Sequence, residues 1–184
     1  MKKAIVIYTS KRGSTKQYAE WVAEDLGCEA LALSDVDFRQ VNLYDYDCIV
    51  YGGWIRGSGI VDFNKFAKHL DADLMKRLIV FGVGFADETA DNYAQVWGYS
   101  IGKIDPKNEN GSILYILGGK YDPSAVTGLD SFLMKIMRKV LVSGSTKDAR
   151  RAANKIRDRI DNGVDMVERG NIASLVKDAQ KKLV

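Results

Sequence analysis

Short apolar runs rich in Val and Ile alternate along the chain with longer segments whose apolar residues recur at helical spacing. The short runs predict five β-strands, over residues 4–8, 30–33, 47–51, 78–81 and 113–117. Helical periodicity between them predicts helices over residues 14–26, 62–70 and 88–101, and Gly27 can end the first of these. Strands that alternate with helices predict a doubly wound parallel sheet with right-handed crossovers.

Three further helical segments follow the fifth predicted strand, over residues 129–140, 145–160 and 171–183. Ser145 and Asp148 have the spacing of a capping box at the start of the second segment. A five-stranded sheet of this kind needs only one closing helix, so residues 124–170 are an extra helical segment before the last helix. We predict a single domain over residues 1–184, a length that is sufficient for a substantial core.

Charge and hydropathy argue against a nucleic-acid-binding protein and against a protein that spans a membrane. The net charge of +3 is too small to indicate nucleic-acid binding, which needs a concentrated basic face. The apolar run at residues 4–8 is too short for a signal peptide, and no segment has the length and apolarity of a membrane span, so we expect a cytoplasmic protein. The stripe at residues 129–140 leaves peripheral membrane contact open, although packing on the sheet is the favoured interpretation.

The cysteines and the single histidine do not indicate a metal site. Cys28 and Cys48 form neither a CxxC motif nor a metal-ligand spacing, so we predict free thiols that pack as small apolar residues. We interpret His69 as a packing or surface residue.

The loop after the first strand has the composition of a phosphate cradle, and ligands of an open α/β sheet bind at such strand ends. Its residues are Ser10, Lys11, Arg12, Gly13, Ser14 and Thr15. Free backbone N–H groups and the helix dipole favour an anion there, and the hydroxyls add donors. A solvated N-cap turn is the alternative. The spacing is neither that of a Walker A loop nor that of a dinucleotide fingerprint.

Two glycine-bearing loops follow the third and fourth strands. The second loop consists of Gly53, Trp54, Ile55, Arg56 and Gly57, and the third begins with Gly82, Val83, Gly84, Phe85 and, two residues on, Asp87. The Trp54 ring either stacks on a flat ligand or packs on the core, and Arg56 either meets negative charge on a ligand or pairs with a surface carboxylate. The third loop either hydrogen-bonds a polar ring edge or is simply solvated.

Together these three loops resemble those of the flavodoxin family. The resemblance implies a flavodoxin-like five-stranded parallel sheet in the order 2-1-3-4-5, with helices on both faces and FMN as the cofactor. It also implies roles: the first loop holds the FMN phosphate, the Trp54 loop packs on one flavin face, and the third loop, with residues 91–93, contacts the ring.

A narrower resemblance is to the flavodoxin-type menaquinone-dependent protoporphyrinogen dehydrogenases. It rests on residues 53–57, on residues 118–121 and on the Met- and Lys-rich residues 133–139, and it implies that Lys120 and Tyr121 lie on the substrate side. The chain departs from that pattern in having fewer aromatic residues and arginines after the fifth strand and a longer C-terminal tail.

The predicted function is electron transfer through FMN to a redox partner protein or to a small-molecule acceptor such as a quinone. One alternative is an FMN-dependent oxidoreductase that acts on a quinone or a porphyrinogen, and another is a flavodoxin fold without cofactor. No acid–base or nucleophile constellation is present in the sequence, so no catalytic residue is assigned.

Overall fold

Five parallel strands form the central sheet of the computed structural model, which describes residues 2–87, 89–128, 134–136, 138 and 147–184. The parallel strands are β1 (Ala4–Thr9), β2 (Ala30–Ala32), β3 (Cys48–Arg56), β5 (Leu78–Gly84) and β6 (Ile113–Gly118), and the short β4 (Gly59–Ile60) is antiparallel to the end of β3. The spatial order is β2-β1-β3-β5-β6. With β4 set aside, this is the predicted order 2-1-3-4-5, so the fold prediction is confirmed.

Helices connect and cover these strands. They are α1 (Ser14–Leu26), α2 (Phe63–Phe66), α3 (Ala72–Met75), α4 (Ala90–Tyr99), α5 (Lys147–Asn162) and α6 (Ala173–Lys182). The bounds of α1 are those that its sequence pattern predicts, and Gly27 ends it in the left-handed conformation. An antiparallel ribbon of β7 (Lys120–Tyr121) and β8 (Val164–Asp165) connects the segment before α5 with the segment after it.

Alternate residues of the strands face two separate cores. One core lies against α1 and α6, where Val6 of β1 packs with Tyr18 and Leu175. The other lies on the opposite face, where Ile7 packs with Phe63 and Phe66. Because both faces are covered, β1 is buried along its length, which explains its unbroken apolar sequence.

The glycine-rich segments after the third and fourth predicted strands lie mostly within the sheet. The prediction that these segments are loops is wrong for most of their length, because β3 continues to Arg56 and β5 to Gly84, with Gly53 paired to Gly82, and only Gly57 and residues 85–87 lie beyond the strands. Gly52 stands beside Phe81 on the neighbouring strand, and a Cβ on Gly52 would overlap the Phe81 ring. Glycine is therefore present here to admit a ring and not to form a turn.

Hydrogen bonds of the buried Tyr18 attach the chain that follows α5 to the sheet. The Tyr18 hydroxyl donates to the Gly118 carbonyl at 2.7 Å and accepts from the Asn171 side-chain amide at 2.8 Å. The last helix then covers the sheet with Leu175 and Ala179, both fully buried. This packing explains why the apolar pattern of the last helix resumes after a long polar stretch.

Cys28 and Cys48 are both free, and burial raises the pKa of each thiol to about 11. His69 stacks on Phe38 with ring centroids 3.7 Å apart, and the described residues contain no cluster of metal-ligating side chains. Most of the predicted 129–140 stripe, and the capping box at Ser145, lie outside the described residues. Among the helices that the structure describes, none combines the length and apolarity needed to cross a bilayer.

Candidate functional site

A cavity of about 620 Å³ opens where β1, β3 and β5 end. Its volume is in the range of about 300–1,000 Å³ that is typical of small-molecule sites. The predicted site residues that line it are Ser10, Lys11, Arg12, Ser14, Thr15, Trp54, Ile55, Arg56, Gly57, Val83, Gly84, Phe85, Lys120 and Tyr121. The topology thus brings all three predicted loops, and the pair after β6, to one site.

Four predicted site residues lie outside this lining. Gly13 turns the first loop with a φ of 96°, a conformation that glycine adopts readily. Gly53 and Gly82 pair with each other inside the sheet, where a Cβ on Gly53 would lie 2.5 Å from Ile60 Cγ2. Asp87 is directed to α5 instead.

The first loop places hydroxyl groups at the beginning of a 13-residue helix. Gly13 provides no side-chain cap for α1, so the N–H groups of the first turn face the loop. Ser10 Oγ accepts from the Gly13 N–H at 3.2 Å, and Ser14 Oγ accepts from the Lys120 N–H at 3.3 Å. A hydroxyl that accepts a hydrogen bond still has its own proton to donate. Ser10 and Ser14 can therefore both donate to a ligand in the cavity that they line.

Trp54 forms part of the cavity wall. It is half-buried near the end of β3, and the Lys11 ammonium lies 5.9 Å from the centroid of its ring. The Trp54 ring does not belong to either of the two hydrophobic cores on the faces of the sheet. The sequence left open whether the Trp54 ring stacks on a flat ligand or packs on the core. The position of the ring in the cavity wall favours the first interpretation.

The cavity lining is electropositive. Lys11, Arg12, Arg56 and Lys120 all contribute to it, whereas its described residues include no aspartate or glutamate. Lys120 also pairs with Asp165 at 2.9 Å, and this hydrogen-bonded carboxylate raises the pKa of the Lys120 ammonium. Such a site suits a ligand with negative charge.

Sequence reasoning missed several contributors, most of them outside the three loops. The lining also includes Ala86, Ile116, Gly119, Met134 and Ile156, together with Asn92, which the flavodoxin resemblance already assigns to the ring. Ile156 is on α5, which also sends Lys155 and Arg159 to the third loop. Helical periodicity predicts α5 as a helix, but a pattern within one helix does not reveal which distant loop it contacts.

Comparison with known proteins gives a family. The model of the Flavodoxin domain family matches residues 5–148. None of the curated proteins matches.

Solved structures with similar folds include a flavodoxin from the domain Archaea, with 16% identity and a TM-score of 0.47 over 88% of this chain and 100% of that one. A WrbA-like flavodoxin from Agrobacterium tumefaciens has 16% identity and a TM-score of 0.47, over 86% of this chain and 99% of that one. A flavoprotein in complex with FMN from Lactobacillus acidophilus NCFM has 17% identity and a TM-score of 0.38, over 64% and 91%.

The family assignment follows from the match to the family model. That match extends from β1 beyond β6 and covers most of the chain. The chain therefore belongs to the flavodoxin domain family.

Proposed function

We propose that the chain binds FMN non-covalently in this cavity and transfers electrons to a redox partner protein or to a small-molecule acceptor such as a quinone. The observation that carries the proposal is the first loop, where the uncapped N-terminus of α1 and three hydroxyls meet in a cationic cavity. Those features are what a phosphate monoester needs. Membership of the flavodoxin domain family supports a flavin as the rest of the ligand.

The residues that are present fit both ends of FMN. Ser10, Ser14 and Thr15 would hold the phosphate together with the first N–H groups of α1. Trp54 would offer its face to the flavin ring, and Phe85 would bound the other side of the cavity. The cavity lining therefore combines hydroxyl and cationic groups with aromatic and aliphatic side chains, as FMN requires.

The chemistry of electron acceptance and release would belong to bound FMN, at its ring system. The protein would bind the phosphate, orient the ring and exclude water from it. Tyr121 is buried and lies with its ring centroid 5.3 Å from that of Phe85, and the two rings form an apolar wall of the cavity. Met134 and Ile156 extend the same wall.

The apolar character of this wall supports a second candidate function, that of an FMN-dependent oxidoreductase acting on a quinone or a porphyrinogen. Met134 and Ile156 belong to the extra helical segment, which gives the cavity more apolar surface than the three loops alone would provide. The two functions separate under anaerobic conditions, after the flavin is reduced. When light with a sacrificial donor reduces the flavin again after each cycle, catalytic turnover of a soluble quinone supports the enzyme, whereas oxidation by protein acceptors alone supports a carrier between proteins.

The absorption spectrum of the purified full-length chain tests the shared part of both functions. We expect flavin bands, and a cofactor with the mass of FMN in the supernatant after the protein is denatured. A chain that is colourless and shows no spectral change on adding FMN would support the cofactor-free alternative and contradict the proposal.

Replacing Trp54 by alanine is expected to weaken the binding of FMN and of riboflavin by the same factor, because the Trp54 ring would contact the ring system that the two ligands share. The loss should be about 0.5–1.5 kcal/mol, the contribution of an aromatic pair beyond its buried area. Fluorescence titration with each ligand measures it, with Trp54→Phe as the variant that keeps an aromatic face. Unchanged affinities in Trp54→Ala would show that the ring does not contact the ligand.

A further inference from the structure

Arg159 extends from α5 to the third loop and is almost fully buried, with 8% of its surface exposed. Its Nη1 donates to the Phe85 carbonyl oxygen, and its Nη2 donates to Asp87 Oδ1 at 2.7 Å. Lys155, one helical turn earlier, donates to Asp87 Oδ2 at 2.7 Å. A buried guanidinium is costly unless its donors are satisfied, so these contacts fix the relative positions of helix and loop.

The loop that Arg159 contacts forms part of the cavity. Phe85 and Ala86 line it, and Asp87 follows directly. The Asn92 side-chain amide at the start of α4 donates to the Asp87 carbonyl oxygen at 3.1 Å. The loop is therefore held from α4 and from α5, and only the second attachment carries charge.

We propose that Arg159 and Lys155 form a cationic clamp that holds residues 85–87 against the cavity and cancels the charge of Asp87, which makes Arg159 a positioning residue for the ring of a bound flavin. The inference rests on the proposed function. It assigns a role at the cavity to the extra helical segment, which the five-stranded fold does not itself require.

The charge balance of the clamp has a consequence for the flavin. The hydrogen bonds from Lys155, and then from Arg159, lower the pKa of the Asp87 carboxyl, so it is ionised near neutral pH. A carboxylate beside the ring disfavours a reduced, anionic flavin through like-charge repulsion. Two cations against one carboxylate remove that repulsion and favour a less negative reduction potential.

Three variants of the clamp and one control separate its geometry from its charge. Arg159→Gln removes the charge and the paired hydrogen bonds to Phe85 and Asp87, Arg159→Lys keeps the charge alone, and Asp87→Asn removes the carboxylate. The matched control is Arg138→Gln, because Arg138 also pairs with α5, through Asp161 at 2.6 Å and 2.8 Å, and has no hydrogen bond to the part of the third loop that the structure describes.

Amide hydrogen exchange on the full-length chain without added flavin tests the geometry. Arg159→Gln should speed exchange of residues 84–92 by about tenfold or more, the effect of losing at least one of the two charge-assisted hydrogen bonds, and Arg138→Gln should leave it unchanged. Equal exchange in the two variants would overturn the clamp. The exchange experiment needs no flavin, so it tests the clamp even if the proposed function is wrong.

Reduction potentials and affinities of the FMN-loaded protein test the consequence. Arg159→Gln should shift the potential to more negative values, Asp87→Asn should shift it to less negative values, and Arg159→Lys should keep it near that of the unmodified chain. Arg159→Gln should weaken FMN and riboflavin by the same factor, since the loop faces the ring. A potential that is the same in all three variants contradicts the role in charge balance.

Discussion

Replacing Ser14 by aspartate is expected to weaken FMN binding by about a hundredfold or more and to leave riboflavin binding almost unchanged. Ser14 begins α1 and lines the cavity, where its Oγ would donate to the phosphate. The substitution exchanges that donor for a carboxylate a few Å from a phosphate dianion. Repulsion between two charges about 4 Å apart near a protein surface is on the order of 4 kcal/mol. That energy by itself corresponds to more than about a hundredfold loss of affinity.

The same variant should not be destabilised, which makes the loss of binding specific. A carboxylate in the first turn interacts favourably with the helix dipole, by about 0.3–1 kcal/mol, and α1 has no acidic residue there. Ser14→Asn is the control, since it has nearly the same shape without the charge and should retain most FMN affinity. Titrations with FMN and riboflavin, together with urea unfolding, measure all three effects. A parallel loss of both ligands in Ser14→Asp would place the phosphate elsewhere.

Replacing Gly52 by alanine is expected to lower the free energy of unfolding by about 3 kcal/mol, the upper part of the range for overpacking a core. Gly52 and its neighbour Phe81 are both fully buried, and the new methyl group would lie within 2.6 Å of several Phe81 ring carbons. Both residues are on central strands, so the backbone has little freedom to separate them. Urea unfolding measures the loss.

Two variants show whether the Phe81 ring causes this loss. The loss of stability in Gly52→Ala combined with Phe81→Leu should be smaller than the sum of the losses in the two single variants. Phe81→Leu makes room for the new methyl group, which in turn fills part of the space that the ring leaves. Gly98→Ala is the control: Gly98 is in α4 with open space around its Cα, and alanine should stabilise the helix by about 0.5–1 kcal/mol. Additive losses in the double variant would show that crowding by the ring is not the cause.

The sequence predicts the sheet well because its strands are buried on both faces. Continuous apolar runs such as residues 4–8 have few other stable environments in a protein of this size, and alternation with helices then predicts parallel strands with right-handed crossovers. The strand order came from the resemblance to the flavodoxin family. The same logic fails for β3 and β5 beyond their apolar runs. Glycines normally indicate turns, and nothing local to Gly52 reveals that a Phe81 ring occupies the space beside it.

The candidate site was predictable where it consists of strand ends, since parallel strands bring their carboxyl ends to one edge. Ser14 and Trp54 therefore lie in one cavity as expected. The contributions of α5 were not predictable, because they depend on contacts between residues far apart in sequence. Asp87 and Arg159 are 72 positions apart, and no periodicity links them.

Comparative titration of the full-length chain with FMN, riboflavin and FAD tests the central claim most directly. The account predicts that FMN binds most tightly, and at least about a hundredfold more tightly than riboflavin, because only FMN places a terminal phosphate on the first loop and each charge-assisted hydrogen bond contributes about 1.5–3 kcal/mol. Equal affinities for FMN and riboflavin, or no binding of either, would contradict it.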